Sequence, residues 1–255
     1  MTFEFLVDEY PGDGKKDWPS FIAAGPPWFG AIFKITQGIR YEYAAWAAAQ
    51  RAPFLLSDRY GDTLFDGFYH FLELQTDGRA QAEWALKHVT MAGGEQRGTI
   101  WMMLDVERGG QTIQTITKQI VDDRAGSFST RWEQLTGTKP TLYGGELLRS
   151  VGEHGLLGCG RSAIARYTAT LPEQVVIDTG TTEEDLLLWQ YTGGTKDQTA
   201  DNSLRGAPLE APGCGRTDIS VVTKAGGIAA MAAQLAADRA AAPGVIAQLA
   251  AASGR

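Results

Sequence analysis

The order in which two hydrophobic periods follow one another constrains this chain most. Apolar runs of strand length alternate with helical patterns up to about residue 150, and beyond that strands succeed one another with little helix between them. Phe3 to Asp8 reads as the first strand. Asp17-Trp18-Pro19-Ser20 reads as a helix start, an acidic cap with an early proline, and Gly25 as its stop. Ala31 to Thr36 is the second strand, and the alanine-rich stretch from Tyr43 to Arg51 a helix. Leu64 to Phe71 is the third strand, followed by a helix from Asp77 to Ala92 that Gly93-Gly94 stops. Ile100 to Val106 is the fourth, a nearly continuous apolar run that suits burial on both faces. Thr112 to Leu135 carries helical segments whose breaks the pattern leaves open. Thr141 to Tyr143 is a fifth strand, with a helix from Glu146 to Val151. Ile164 to Tyr167, Leu186 to Tyr191 and Ile219 to Val222 bring the strands to eight.

Eight strands, the early ones each followed by a helix, predict an α/β fold: a modified TIM-like barrel. The length of 255 residues suits one such barrel. Gly193 to Arg216 is polar and rich in Gly, Pro, Thr and Asp, and reads as a long loop. The stretch from Ala225 to Arg255 is dominated by alanine, with Ile228, Met231 and Leu235 at helical spacing and Pro243 dividing it. The expected organisation is a barrel over 1–224 and an alanine-rich helical tail over 225–255. The tail is either a packing appendage or a contact with an oligomer, a virion or another partner.

The formal net charge of -7 comes without a basic stripe or a polybasic segment, which argues against a nucleic-acid binder and against an anionic membrane surface. No apolar run approaches a membrane span. Met1 to Asp8 lacks the basic and long apolar regions of a secretory signal. Cys159 and Cys214 are far apart in glycine-rich stretches; they make no metal motif and read as free thiols rather than a bridge.

In a parallel barrel, chemistry gathers where the strands end, and here those ends are polar. Asp8 ends the first strand, Lys34 and Thr36 the second, Tyr69 and His70 the third. Asp105 and Glu107 end the fourth, Tyr143 the fifth, Tyr167 the sixth, Gln190 with Tyr191 the seventh, and Asp218 opens the eighth. Asp105 and Glu107 are two apart on a strand, so both side chains point to one face. Two close carboxylates cannot both ionise cheaply, so one is held protonated as a general acid. Trp28, Tyr69, Phe71, Trp101, Tyr143, Tyr167, Trp189 and Tyr191 cluster at or near strand ends, where rings can stack on sugar faces. Trp101 and Trp189 lie within strands and read as packing residues. His70 reads as a structural histidine, and His70, His88 and His154 show no metal-ligand spacing. Lys34 is either a carboxylate's partner in the site or half of a core ion pair. Phosphate-loop, nucleotide and serine-elbow motifs are absent from the sequence.

Taken in order, several short motifs resemble the glycoside hydrolase family 25 muramidases, the Chalaropsis-type lysozymes common among phage endolysins. They are Val7-Asp8 with Asp17-Trp18, Phe33-Lys34-Ile35-Thr36-Gln37-Gly38, Gly67-Phe68-Tyr69-His70-Phe71 with Gln81-Ala82, and Leu104-Asp105-Val106-Glu107. Pro140-Thr141-Leu142-Tyr143, Ala165-Arg166-Tyr167, Leu188-Trp189-Gln190-Tyr191 and Asp218-Ile219 follow. The resemblance runs from about Phe3 to Val222 and leaves the tail outside.

It implies a (β/α)5(β)3 barrel that hydrolyses the β-1,4 bond between N-acetylmuramic acid and N-acetylglucosamine in peptidoglycan, without metal or cofactor. It implies Glu107 as general acid, Asp105 as its partner toward the acetamido group, and Asp8 and Asp218 completing an acidic ring. Tyr69, Tyr143, Tyr167, Gln190 and Lys34 would contact sugar. The chain departs from the family pattern at Glu9-Tyr10-Pro11-Gly12, where a Ser and then a Gln usually follow the first Asp. It departs again at Gln37, where Glu is common, and at Ala163, where Trp is usual. A phage endolysin would be made in the cytoplasm of an infected host and reach the wall after holin-type release. The alternatives are a non-catalytic wall-binding or virion structural protein that keeps the barrel, and a glycosidase of another glycan such as chitin.

Overall fold

The computed structural model describes residues 4–60, 64–94, 101–109, 111, 113–167, 182, 184–193 and 207–223. The alanine-rich tail, most of the polar loop after Gly193, and the first residues of the expected first and fourth strands lie outside them. Among the described residues there are nine strands: β1 (Phe5–Glu9), β2 (Trp28–Gln37), β3 (Tyr41–Glu42), β4 (Phe65–Phe71), β5 (Met102–Val106), β6 (Thr141–Gly144), β7 (Arg161–Ala165), β8 (Leu186–Gly193) and β9 (Asp218–Val222). The helices are α1 (Trp18–Ala24), α2 (Ala44–Leu55), α3 (Gly78–Met91), α4 (Lys118–Thr136) and α5 (Glu146–Ser150). None of them is long and apolar enough to cross a membrane.

Eight strands close into a barrel. β1 lies beside β2 in parallel register, and the pairing runs through β4, β5, β6, β7 and β8 to β9, which returns to β1. β9 is antiparallel to both of its neighbours. This direction was not legible in the pattern, and it matters: the start of β9 lies at the rim where the other seven strands end. β3 is a short hairpin partner of β2, and a two-residue strand leaves no periodicity to read. Among the described residues no helix follows α5, in line with the expected helix-poor last third.

Helix ends follow local chemistry. The Asp17 side chain accepts from Ser20 N to cap α1, Asp77 accepts from Ala80 N to cap α3, and Thr117 accepts from Ile120 N to cap α4. α4 is one continuous helix of 19 residues, ended by Gly137 in the left-handed conformation. α2 runs past its expected stop at Arg51 and includes Pro53. Phe54 explains the extension, because its ring packs on Trp18, Phe21 and Phe33, and that burial offsets the lost backbone bond. β7 sits three residues earlier than expected, because its parallel register with β6 begins at Thr141 opposite Arg161. Tyr167 therefore lies just beyond the strand rather than in it.

Period two sorts the strand residues onto two faces. Phe5, Val7, Phe33, Phe68, Met102, Leu104, Val106, Leu142, Ile164, Trp189, Ile219 and Val221 face outward and pack with the helices. Leu6, Ile32, Phe65, Trp101, Met103, Ala163, Leu188 and Val222 fill the barrel interior as a floor. Gly67 makes room for that floor, since a Cβ there would lie 2.3 Å from the Trp101 ring. Outside the barrel, Arg51 of α2 pairs with buried Asp66, which also accepts from the Tyr60 hydroxyl. Truncating Arg51 would leave that carboxylate unpaired, at a cost of about 3–5 kcal/mol.

Candidate active site

Above the floor the interior positions turn polar. Asp8 of β1, Lys34 of β2, Tyr69 of β4, Asp105 of β5, Tyr143 of β6 and Gln190 of β8 occupy inward positions near the strand ends, with Glu107 one residue past β5. Asp218 opens β9 directly opposite Asp8 in the antiparallel ladder. Tyr167 reaches in from the loop after β7. The nine candidate residues named for the site therefore meet at one rim.

Their hydrogen bonds form a chain. The Tyr143 hydroxyl donates to Gln190 Oε1, as does Tyr167 at 3.2 Å. Gln190 Nε2 points to Asp8 Oδ2 at 3.5 Å, and Asp8 and Asp218 lie opposite each other in the β1–β9 ladder, each perturbing the other's titration. Two carboxyls so placed cannot both ionise cheaply. Burial first, then Asp218, Glu9 and Asp105, hold Asp8 well above the usual carboxyl range. Burial pushes Asp218 up to about 6, while neighbouring Asp8 and Gln190 pull it down and Asp13 and Glu107 push it up.

The second pair is Asp105 and Glu107. Burial and then Glu107 hold Asp105 well above its ordinary range, against the pull of Lys34. Burial raises Glu107 too, again opposed by Lys34. Asp105 is 6 % exposed, and its Oδ1 has no hydrogen-bond partner among the described residues. An acceptor left open in so dry a place is costly unless a substrate donor meets it. Lys34 is the cation facing both carboxyls, and burial lowers its pKa against their attraction. Its Nζ donates to Gln37 Oε1 at 3.1 Å and lies 5.7 Å from the centre of the Tyr69 ring, 5.1 Å from Phe71 and 5.9 Å from Tyr43. Of the two sequence readings of Lys34, the geometry favours the site.

Some strand-end residues do not reach the groove. The ladder between β2 and β4 shifts register between Lys34 and Thr36, and Thr36 turns away to bond His70 Nδ1 at 2.8 Å. His70 faces outward, stacks on Phe128 at 4.9 Å and meets Gln81 Oε1 at 3.1 Å. Burial pushes its pKa down to about 3, so it is a neutral structural residue, as expected. Tyr191 points outward against Phe5 and Trp189, and its hydroxyl donates to Pro208 O. Trp28 begins β2 at the opposite end of the barrel and packs on Phe5 and Phe21. Trp101 and Trp189 pack in the inner and outer cores as read. Cys159 and Cys214 are free and buried.

Other residues that serve the site carry no motif. Gln111 accepts from Leu74 N at 2.9 Å and donates to Leu72 O at 2.7 Å and to Glu107 O at 3.0 Å. One carboxamide thus ties the loop after β4 to the backbone of Glu107. Gln81 holds the same loop from the helix side through Glu73 N, Glu73 O and Thr76 O. Asp13, in the loop between β1 and α1, adds negative charge felt by Asp218 and Lys34.

Two buried carboxyl pairs whose pKa values burial raises, under an aromatic rim, are equipped for acid-assisted cleavage of a bond to oxygen. The family described as glycosyl hydrolases family 25 matches residues 7–199 of the chain. Among solved structures the chain is similar to the bacterial lysozyme from Streptomyces coelicolor, at 18% identity over 92% of this chain and 98% of that one, with a TM-score of 0.64. It is similar to the muramidase from Acremonium alcalophilum, at 16% identity over 93% and 99% of the two chains, with a TM-score of 0.63. It is also similar to the catalytic domain of an endolysin from a bacteriophage of Listeria monocytogenes, at 15% identity over 92% and 97%, with a TM-score of 0.55. At these identities the likeness is one of fold. No curated protein matches the chain by sequence.

Proposed function

The chain belongs to glycosyl hydrolases family 25, and from that premise we propose that it is a muramidase, hydrolysing the β-1,4 bond between N-acetylmuramic acid and N-acetylglucosamine in peptidoglycan. The observation that carries this reading is the Asp105–Glu107 pair at the mouth of the barrel, both carboxyls raised by burial and faced by Lys34. Glu107 is the general acid: burial raises its pKa and so favours the protonated form that can donate to the departing glycosidic oxygen. Asp105 is its partner, and its buried, unpartnered Oδ1 is the acceptor that an acetamido N–H would satisfy. Asp8 and Asp218 close the acidic ring. Tyr69, Tyr143, Tyr167 and Gln190 supply ring faces and hydrogen bonds to sugar, and Lys34 holds negative charge on the acid pair.

Mass spectrometry of peptidoglycan digests tests this directly. The wild-type protein is expected to release muropeptides with reducing N-acetylmuramic acid ends. Glu107→Gln keeps the shape but not the proton, and hydrolysis should fall by roughly 10²–10⁴-fold. Undiminished release by that variant would remove Glu107 from the role. Binding to walls with no glycan products from wild type would replace the enzyme with a wall-binding scaffold, and products from chitin alone would replace the substrate. The finer role in this proposal is that of a phage endolysin, acting from within an infected host once the membrane is breached; its support is the fold shared with an endolysin catalytic domain. Expression in a bacterial cytoplasm should then lyse cells only when a membrane-permeabilising protein is co-expressed.

A further inference from the structure

Behind the Asp8–Asp218 pair, on the outer side of the same two strands, lies a second polar cluster that the hydrolysis does not use. Glu9 follows Asp8 and Thr217 precedes Asp218. Both therefore face away from the groove, one step beyond the last pair of the β1–β9 ladder. The Thr217 hydroxyl donates to Glu9 Oε1 at 2.7 Å and also lies 3.4 Å from Asp8 O. Lys16 Nζ lies 2.9 Å from Glu9 Oε2, with the two side chains only 4% and 1% exposed. The same ammonium reaches Cys214 O at 3.4 Å. Beside it, Asp17 N donates to Gly213 O at 2.9 Å. That contact needs glycine: Gly213 has φ of 70°, and a Cβ there would lie 2.2 Å from Asp17 O. The loop from Tyr10 to Asp17 is thus bolted to the segment that enters β9.

We propose that Glu9, Lys16 and Thr217 are positioning residues that hold Asp8 and Asp218 together, by locking the β1–α1 loop onto the start of β9. β9 is the closing strand of the barrel, and its first residue carries a site carboxyl. Its pairings with β1 and β8 both end at that residue, so no ladder bond restrains the chain just before it. The Thr217–Glu9 bond adds the missing constraint directly behind it. Lys16 sets its ammonium against Glu9 and draws in the loop that carries Asp13. The proposal rests on the muramidase reading only for its kinetic consequence.

Thr217→Val removes the hydroxyl at nearly constant shape. The groups facing the carboxyl pair are Tyr69 from β4, Asp105 and Glu107 from the β5 end, Tyr143, Tyr167 and Gln190 from β6 to β8, Glu9 behind, and Asp13 from the loop, and all of them remain in the variant. Carbon-13 NMR of the aspartate carboxyls, titrated with pH, reads the pair itself. In wild type, Asp8 and Asp218 should titrate as one coupled pair. In Thr217→Val the upper step should move toward the ordinary carboxyl range as the two groups separate, and Thr217→Ser should restore it. On peptidoglycan fragments kcat should fall about tenfold in Thr217→Val with KM little changed, the response to a small misplacement of a reacting group. Lys16→Met should act in the same direction and Lys16→Arg should rescue, which covers the case of a valine variant that does not fold. A merely structural cluster would lower the melting temperature of both variants and leave the pair's titration where it is in wild type, and that result would overturn the proposal. If wild type cleaves no glycan, the muramidase reading fails, while the carboxyl titration still decides this one.

Discussion

Asp218 illustrates how the site stores free energy against the fold. Its pKa rises from the ordinary 3.8 to about 6. A carboxyl raised on folding binds more protons in the native state than in the unfolded chain, so its contribution is fully present below the lower value and is lost as pH rises through the upper one. Asp218→Asn cannot titrate, and its carboxamide can donate to Asp8. The variant should therefore match wild type near pH 4 and exceed it by about 1–3 kcal/mol at pH 7, while hydrolysis falls. Thermal melts across that pH range check it, and a variant less stable than wild type at pH 7 would contradict the sign. The same electrostatics made this residue legible in the sequence, because an acidic residue at the edge of an apolar strand has no packing reason to be there. Asp8, Asp105 and Gln190 were legible for the same reason. Thr36 and Tyr191 were misleading: a register shift in β2 and simple alternation in β8 turn them to the outer face, and a strand-end position alone does not tell inward from outward.

At the scale of elements, the loops after β4 and β5 matter more than the strands themselves. Leu72 N donates to Asp105 O at 2.9 Å, and Gln111 continues this contact to the backbone of Glu107. Strand pairing alone would leave Glu107, which lies beyond the last residue of β5, free to shift. Gln111→Leu removes one acceptor and two donated bonds, leaving Leu72 O, Leu74 N and Glu107 O without them. Such losses cost about 1–3 kcal/mol where the groups are buried. The expected outcome is faster hydrogen exchange at Leu74 N–H, with kcat reduced about tenfold and KM changed less. Faster exchange with unchanged kcat would show that the clamp serves the fold and not the acid. A glutamine in a polar loop sends no signal in sequence, since its partners are backbone atoms brought near only by the closed barrel. The hairpin carrying β3 was invisible for a related reason: it is too short for a period. Long periodic segments behaved differently, and α3 and β4 lie within a residue of where their patterns place them.

At the scale of the molecule, the barrel is closed by a strand drawn from the end of its sequence. β9 pairs with β1 and β8, and just beyond it Thr223 N donates to Leu187 O at 2.9 Å. Every strand pairing described, and every residue assigned to the groove, therefore lies at or before position 223. A chain ending at residue 224 should keep the whole barrel. Its melting temperature should stay within about 2–4 °C of the full chain, the shift that ~1 kcal/mol produces at this size, and it should keep its hydrolysis of peptidoglycan. A chain ending at residue 216 should behave very differently. It lacks β9, leaving β1 and β8 as unpaired edges, and it removes both Asp218 and the Thr217 that stands behind it. Open edges of this kind favour pairing with other chains, so loss of cooperative melting and aggregation are expected. The pair of truncations separates two assignments made from sequence, a barrel complete by residue 224 and an alanine-rich tail that adds something else. Loss of hydrolysis in the chain ending at residue 224, with its melt unchanged, would give residues 225–255 a part in the reaction.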